Sequence, residues 1–535
     1  MSNKSTKKKI QQVKITAEYM AVMLAIFAFM GLAPTSVTAQ PGKVVDAQAI
    51  ADGLSVDEFR AYGMTSPKRV DTRLGVLEFT EGGFAGGYPT LNTVEKLYDE
   101  MDFQRATQAY LWALPIVSYG EWLRAHEEVF GAKDGQFVSY PTSQAKQGIL
   151  TANATTPYFV GFADLSRTGP LVLDVPEGPS AGVINDMWQR AIYDFGVSGP
   201  DAASGVKILL LAPDMVKPAN LNEDEYEVVR NTTNIVFIGV RGLQPDPKEA
   251  DAFLRSFQTY PYKNRTNPPK LDIIVVGDDV SWGQWQPHGM AYWESLKAVM
   301  DREVFPERDR FMLAMLDSLG LRKGEPFEPS DHERRILKEA AVVGEAMAKA
   351  NTFNKRFPGA DVYKGTHWDQ LMVVTPDDRD KYFDQLYRRA AFTWEAVSRG
   401  KAYYIKQPGI GQQYRSSYKD SDGNFLTGSE HYTLTMPPNP PAKTFWSAVV
   451  YDVNTRCLII NDEGRPVASS RSGVDAAADG SVTLHFAPKL PEGVKKENWI
   501  QTNPGEGFFV YLRFYGPTEA YFDESYPLED IQKVQ

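Results

Sequence analysis

The segment NDMWQRAIYD (Asn185–Asp194) concentrates side chains able to do chemistry: two carboxylates, an arginine and an indole. On a β-strand alternate side chains share a face, which would align Asp186, Trp188 and Arg190 with Ile192 and Asp194. An indole can stack on a sugar ring while charged groups hold its hydroxyls by bidentate hydrogen bonds. Alternate strand residues stand ~7 Å apart, within the roughly 5–10 Å that carboxylate pairs span in glycoside hydrolysis. Asp186 and Asp194 are therefore the candidate catalytic pair. The plainer reading is an ion pair of Arg190 with Asp186 or Asp194 beside a core tryptophan.

Two further groups could bind a polar ligand. Asn153 with Thr155, Thr156 and Tyr158 puts an amide and hydroxyls at a strand entrance, or else forms an Asx-turn that satisfies its own backbone. Arg513 with Tyr515, near Trp499, lies on a strand where Tyr511, Arg513 and Tyr515 share one face and Leu512 and Phe514 the other. The plainer reading is stacking of arginine on tyrosine inside the protein.

No motif specifies a reaction. The chain has no GxSxG elbow, phosphate-binding loop or dinucleotide fingerprint. Its six histidines (His126, His288, His332, His367, His431, His485) include no pair at metal-ligand spacing, so neither metal nor cofactor is expected. Asn461-Asp462-Glu463-Gly464 reads as a turn between strands rather than a calcium loop.

The elements that would carry these residues begin after a leader. Five lysines precede an apolar run, Met20–Leu32, followed by Val37-Thr38-Ala39 before Gln40, the pattern of a secretory signal peptide over residues 1–39. That run has 13 residues, against roughly 20 for a membrane-spanning helix. The expectation is a periplasmic or secreted protein with no membrane span after cleavage. Removing the leader takes five lysines and one glutamate and moves the net charge from −11 to −15. Such an acidic chain argues against nucleic acid as a partner. Cys457, the single cysteine, sits in the apolar run CLII and reads as a buried, inert thiol.

The body reads as mainly β with a helical insert. Short strand-like runs alternate with turns from about residue 136 to 241 and again around FWSAVVYD (Phe445–Asp452), DGSVTLHF (Asp479–Phe486) and YLRFYGP (Tyr511–Pro517). A helical lead-in runs from Thr93 to Glu128 with Asn92 as N-cap and Val94, Leu97, Tyr98 and Met101 on its core face. Between the β regions, Ser330 and Glu333 form a capping box for a helix whose core face carries Ile336, Leu337, Ala340, Val343 and Met347. A second insert helix is expected from Asp377 to Arg399, capped by Thr375 and closed by Gly400. The boundaries this gives are 43–284, 285–402 and 403–535.

Several motifs carry a family resemblance. LTANATTPYFVGFADL (Leu150–Leu165), GPLVLDVPEG, NDMWQRAIYDFG and ILLLAPD resemble the domain of unknown function 1254. The spacing of Tyr432, Trp446, Tyr451, Asn461, Asp479, Gly480, Asn498, Trp499, Arg513, Tyr515 and Pro517 resembles the domain of unknown function 1214. The pairing implies an N-terminal immunoglobulin-like sandwich, a helical connector and a C-terminal jelly-roll-like sandwich. It implies no activity. The functional expectation is an exported envelope protein holding a polar ligand, a small molecule or a glycan, in a cleft between two sandwiches, with self-association into a homo-oligomer left open. The alternative is a hydrolase or lyase acting on an extracellular polymer or small amphiphile through paired carboxylates. N-terminal sequencing of the processed protein should begin at or near Gln40; a chain starting at Met1 or Ser2 would remove the export reading.

Overall fold

The structure is a computed structural model that describes residues 43–270 and 272–535. The leader expected over 1–39 lies outside the described residues. The chain divides into two compact units, up to Glu100 and from Met101.

In the first unit, β1 (Val44–Asp46), β2 (Arg69–Thr72) and β3 (Gly75–Glu78) form a small sheet. Helix α1 (Val56–Thr65) opens on a capping box in which the Ser55 hydroxyl accepts from the Glu58 N–H and Glu58 accepts from the Ser55 N–H. Helix α2 (Leu91–Arg124) already includes Asn92, so the expected cap is wrong; the Thr90 hydroxyl accepts from the Thr93 N–H instead. Tyr98 and Met101, expected in the core, are exposed.

From Ala106 onward α2 is buried nearly all round, through Tyr110, Trp112, Ile116, Tyr119 and Trp122. A helix apolar on every side must run through a core, and this one does. It crosses the central core of the second unit.

That unit holds two β-sandwiches. The first uses β4 (Val138–Tyr140), β5 (Tyr158–Asp164), β6 (Leu171–Val175), β7 (Ser180–Asp186), β8 (Ala191–Gly196), β9 (Val206–Leu211), β10 (Glu227–Arg230), β11 (Ile235–Gly242), β12 (Gln258–Pro261) and β13 (Ile274–Val275). Its sheets run β13-β4-β5-β11-β7-β8 and β10-β9-β6-β12. The second uses β14 (Asp361–Val362), β15 (Trp368–Gln370), β16 (Gln412–Ser417), β17 (Tyr432–Met436), β18 (Ala442–Asp452), β19 (Val467–Ser469), β20 (Val482–Ala487), β21 (Trp499–Gln501), β22 (Phe508–Pro517) and β23 (Gln532–Lys533). Its sheets run β14-β15-β16-β22-β18-β19 and β21-β20-β17-β23. In each sandwich a six-stranded and a four-stranded sheet enclose a core of alternate residues.

The other faces of the two six-stranded sheets pack into a third, central core. Along β22, Phe508, Val510, Leu512 and Phe514 fill the sandwich, while Phe509 and Tyr511 face the centre. On β5, Phe159 and Ala163 fill the first sandwich and Val160 and Phe162 face the centre. After α3 (Pro247–Leu254), helices α4 (Met290–Arg302), α5 (Arg310–Asp317), α6 (Asp331–Phe353) and α7 (Leu386–Glu395) follow, and all four of these add residues to that central core. No helix among the described residues is long and apolar enough to cross a membrane.

The Ser330–Glu333 capping box is present, and Ile336, Leu337 and Ala340 are buried as expected. Met347 is not; it is 40 % exposed, and Gly344 and Ala348 carry the buried stripe. The reason is close approach: a Cβ on Gly344 would stand 2.6 Å from Cγ of Tyr110. The second insert helix spans only Leu386–Glu395, and Gly400 does not cap it. Residues 375–378 form a local turn in which the Thr375 hydroxyl accepts from the Arg379 N–H, and Asp378 has φ +62°. We expect Gly344→Leu, which drives a side chain into Tyr110, to cost about 1–3 kcal/mol in urea unfolding. A variant as stable as the parent would show that the α2–α6 contact is slack.

Candidate functional site

NDMWQRAIYD is not one strand. It is the hairpin β7–β8, with Met187 to Arg190 in the turn and Gln189 at φ +60°. The alternation argument therefore fails, and the expected shared face does not exist. Across the hairpin Asp194 pairs with Val183, and Asn185 with Ala191.

Each member of the hairpin is committed to structure. Asp186 is fully buried and accepts from the Arg190 N–H and Nε, at 2.9 and 2.6 Å, and from the Thr232 hydroxyl. Trp188 is 1 % exposed, packed 4.8 Å from Trp112 with the Arg389 guanidinium 5.1 Å from its ring. Asp194 accepts from the backbone N–H groups of Lys401 and Ala402, both at 2.9 Å. Burial pushes its carboxyl up, and those two donors oppose the shift. Asp186 and Asp194 thus lie on opposite strands and do not form an accessible pair. Trp499 is buried in the four-stranded sheet of the second sandwich, where its indole N–H donates to Ala487, and it does not reach Arg513.

The other candidates converge. A cavity of about 310 Å³ lies between the two six-stranded sheets, with Thr156 and Tyr158 on one wall and Arg513 and Tyr515 on the other. Asn153 joins the walls: its side-chain N–H donates to the Tyr515 hydroxyl at 2.6 Å, across 362 positions of sequence. Its Oδ1 accepts from the Thr155 N–H and hydroxyl, so the Asx-turn reading also holds.

Alternation on β22 places Tyr511, Arg513 and Tyr515 on the cavity side. The cavity is closed by Leu371, Met372 and the segment Phe392–Ser398 at the end of α7. Its apolar end carries Trp122, Ile149, Val160, Phe237 and Phe392.

The cavity gathers cationic groups. Arg513 is 4 % exposed; its Nη2 donates to the Thr151 carbonyl and to the Tyr451 hydroxyl, and its Nε has no partner among the described residues. Arg241, at the end of β11, donates to Gln412 Oε1 at 3.0 Å. Behind them Lys146 is 1 % exposed and donates to the carbonyls of Asn153 and Thr156, at 2.9 and 2.8 Å. Burial, with Arg513 and Arg241 nearby, depresses the Lys146 amine to about 7. None of these three cations has a carboxylate within ion-pair distance among the described residues, and no Asp or Glu lines the cavity.

At its edge the exposed Arg471 sits 4.0 Å over the Phe445 ring, which stacks on Tyr515 at 3.9 Å. Lys146, Arg241, Gln412, Tyr414, Phe445 and Arg471 were missed from sequence. Only Arg241 left a trace, as a charge closing the apolar run IVFIGV.

Elsewhere, Cys457 is buried and its thiol is pushed up to about 12 by burial, in keeping with inertness. His431 and His485 meet at 3.0 Å across neighbouring strands, but the described residues contain no group of three metal-ligating side chains.

A two-sandwich protein with a cationic cavity between its inner sheets is the class the fold and site define. Within it, residues 135–261 match the family model described as a protein of unknown function (DUF1254), and residues 411–519 match that of a second protein of unknown function (DUF1214). The chain therefore carries both domains in tandem, and each supplies one wall of the cavity. No curated protein matches. Among solved structures it is similar to the VPA0106 protein from Vibrio parahaemolyticus, with 19 % identity over 81 % of this chain and 100 % of that one, at a TM-score of 0.47. An uncharacterized protein from Burkholderia cenocepacia shows 13 % identity over 83 % of this chain and 97 % of that one, at a TM-score of 0.38.

Because Trp188 is packed in the core, Trp188→Ala should cost about 3–5 kcal/mol of stability. Affinity per folded molecule for any ligand of the cavity should not change. A thermal melt beside a binding titration checks both; weakened binding at unaltered melting temperature would restore Trp188 to a ligand site.

Proposed function

We propose that this protein binds a small anionic amphiphile, with its acid group at Arg241 and Arg513 and its apolar body against Trp122, Val160, Phe237 and Phe392. The observation that carries the reading is the set of cations without a carboxylate, buried Lys146 and Arg513 and half-buried Arg241, beside a cavity with an apolar end. Buried charge is costly unless it is paired, and a guanidinium suits a planar carboxylate. A bound acid would supply the missing countercharge. The apolar end gives the body of such a ligand a hydrocarbon surface to pack against.

Export to the periplasm or beyond belongs to the same proposal and rests on the leader motif at 1–39. We also assign the first sandwich to the immunoglobulin-like type and the second to the jelly-roll-like type; the paired four- and six-stranded sheets support the sandwich level of that assignment. The alternative, a hydrolase or lyase using Asp186 and Asp194, draws no support from a cavity without carboxylates.

Calorimetric titration with octanoate and with the matched alcohol octanol tests the proposal. Octanoate should bind and octanol should bind far more weakly. Arg513→Gln should weaken octanoate by about 10- to 100-fold, the loss of a hydrogen bond to a charged group. Equal binding of acid and alcohol would overturn the reading.

The pH dependence has a definite sign. Below about 7 the Lys146 amine is charged and adds a third cation. Above that it is neutral, so octanoate affinity should fall as pH rises through this range, while octanoate itself stays ionised.

A further inference from the structure

A second cleft, of about 790 Å³, is walled by the loop Val280–Trp285, Lys349 of α6, and the loops at Asp452–Thr455 and Asn503–Gly507. Its chemistry differs from that of the first. The lining is rich in planar amides and carboxylates, with Asp452, Asn454, Asn503 and Glu506 along one side.

Trp285 stands among them, partly exposed, and its indole N–H has no partner among the described residues. The ring is fixed in place: a Cβ on Gly283 would lie 2.1 Å from it, so the indole is folded tightly onto that glycine. A rigid indole presents stacking surface at little cost in conformational entropy.

The polar groups are held from behind. Asp452 Oδ1 accepts from the Thr455 N–H and hydroxyl, and Glu506 Oε2 accepts from Asn503, whose amide also donates to the Ile460 carbonyl. Each carboxylate keeps a second oxygen with no bond among the described residues. The Asn454 side-chain amide makes none at all among the described residues.

We infer that this cleft is a carbohydrate-binding site for neutral or amino-sugar chains, with Trp285 as the stacking platform and Asp452, Asn454 and Glu506 as hydroxyl and ammonium ligands. Vicinal hydroxyls pair with planar amides and carboxylates, and the apolar face of a pyranose pairs with an indole. The charged lining groups are two carboxylates and one lysine, the latter paired with Glu345 at 2.9 Å. That balance selects against uronic acids. The inference is independent of the acid-binding cavity, which shares no lining residue with this cleft.

The test is calorimetric titration of the mature protein with cellohexaose, chitosan hexamer and a galacturonate hexamer, followed through Trp fluorescence. The neutral or amino-sugar hexamer should bind at sub-millimolar concentration and the galacturonate should not. Trp285→Ala and Asn454→Ala should each weaken binding at least about tenfold with an unchanged melting temperature. Arg513→Gln should leave sugar binding intact. Absence of binding by all three hexamers, preference for the galacturonate, or sugar binding untouched by Trp285→Ala would each overturn the inference.

Discussion

The burial of Arg399 against Asp378 is the interaction on which the inner part of the second unit depends. Arg399 is fully buried, and its guanidinium is paired with Asp378, itself 1 % exposed. The same arginine donates to the carbonyls of Trp188 and Gln189, which form the turn of the β7–β8 hairpin. Its backbone is bonded to Asn185, which also accepts from the Tyr119 hydroxyl on α2. One charge thus ties together the first sandwich, the central helix and the end of the insert. Removing either partner of such a pair would leave an uncompensated charge in the core, typically a loss of several kcal/mol.

Asp378 is held low despite its burial, because Arg399, Arg389 and Arg190 surround it. In that region Asp186, Asp309 and Asp378 answer the three arginines. The cavity between the inner sheets differs. There Lys146, Arg241 and Arg513 are brought together with carbonyls, an amide and tyrosines but no acid.

These pairings explain which parts of the molecule could be read from its sequence. Alternation along β22 was legible because the strand is long and unbroken, so Arg513 and Tyr515 fell on the correct face. NDMWQRAIYD failed because its polar residues serve a turn, and period-two reasoning has no meaning across one. The capping signature at Ser330 is local and was recovered. The one at Thr375 is equally local, yet its residues close a turn that presents Asp378 to Arg399. A long-range electrostatic demand overrode a short-range propensity there, and nothing near residue 378 announces a partner 21 positions away.

The same logic bears on why the two domains of unknown function occur together. The six-stranded sheet of each exposes an inner face that is neither a complete core nor a complete site. Tyr451 of the second sandwich donates to the carbonyl of Ala152, and Arg513 to that of Thr151, both on the loop entering β5. Those carbonyls would lose these donors if the second sandwich were absent, and Arg513 would keep only the Tyr451 hydroxyl of its own sandwich if the first were. Separated, each half would also uncover part of one continuous apolar core that runs from α2 to Tyr511. The cavity is therefore a property of the pair: its cations come from both segments, and the bonds that position Arg241 and Arg513 cross from one segment to the other.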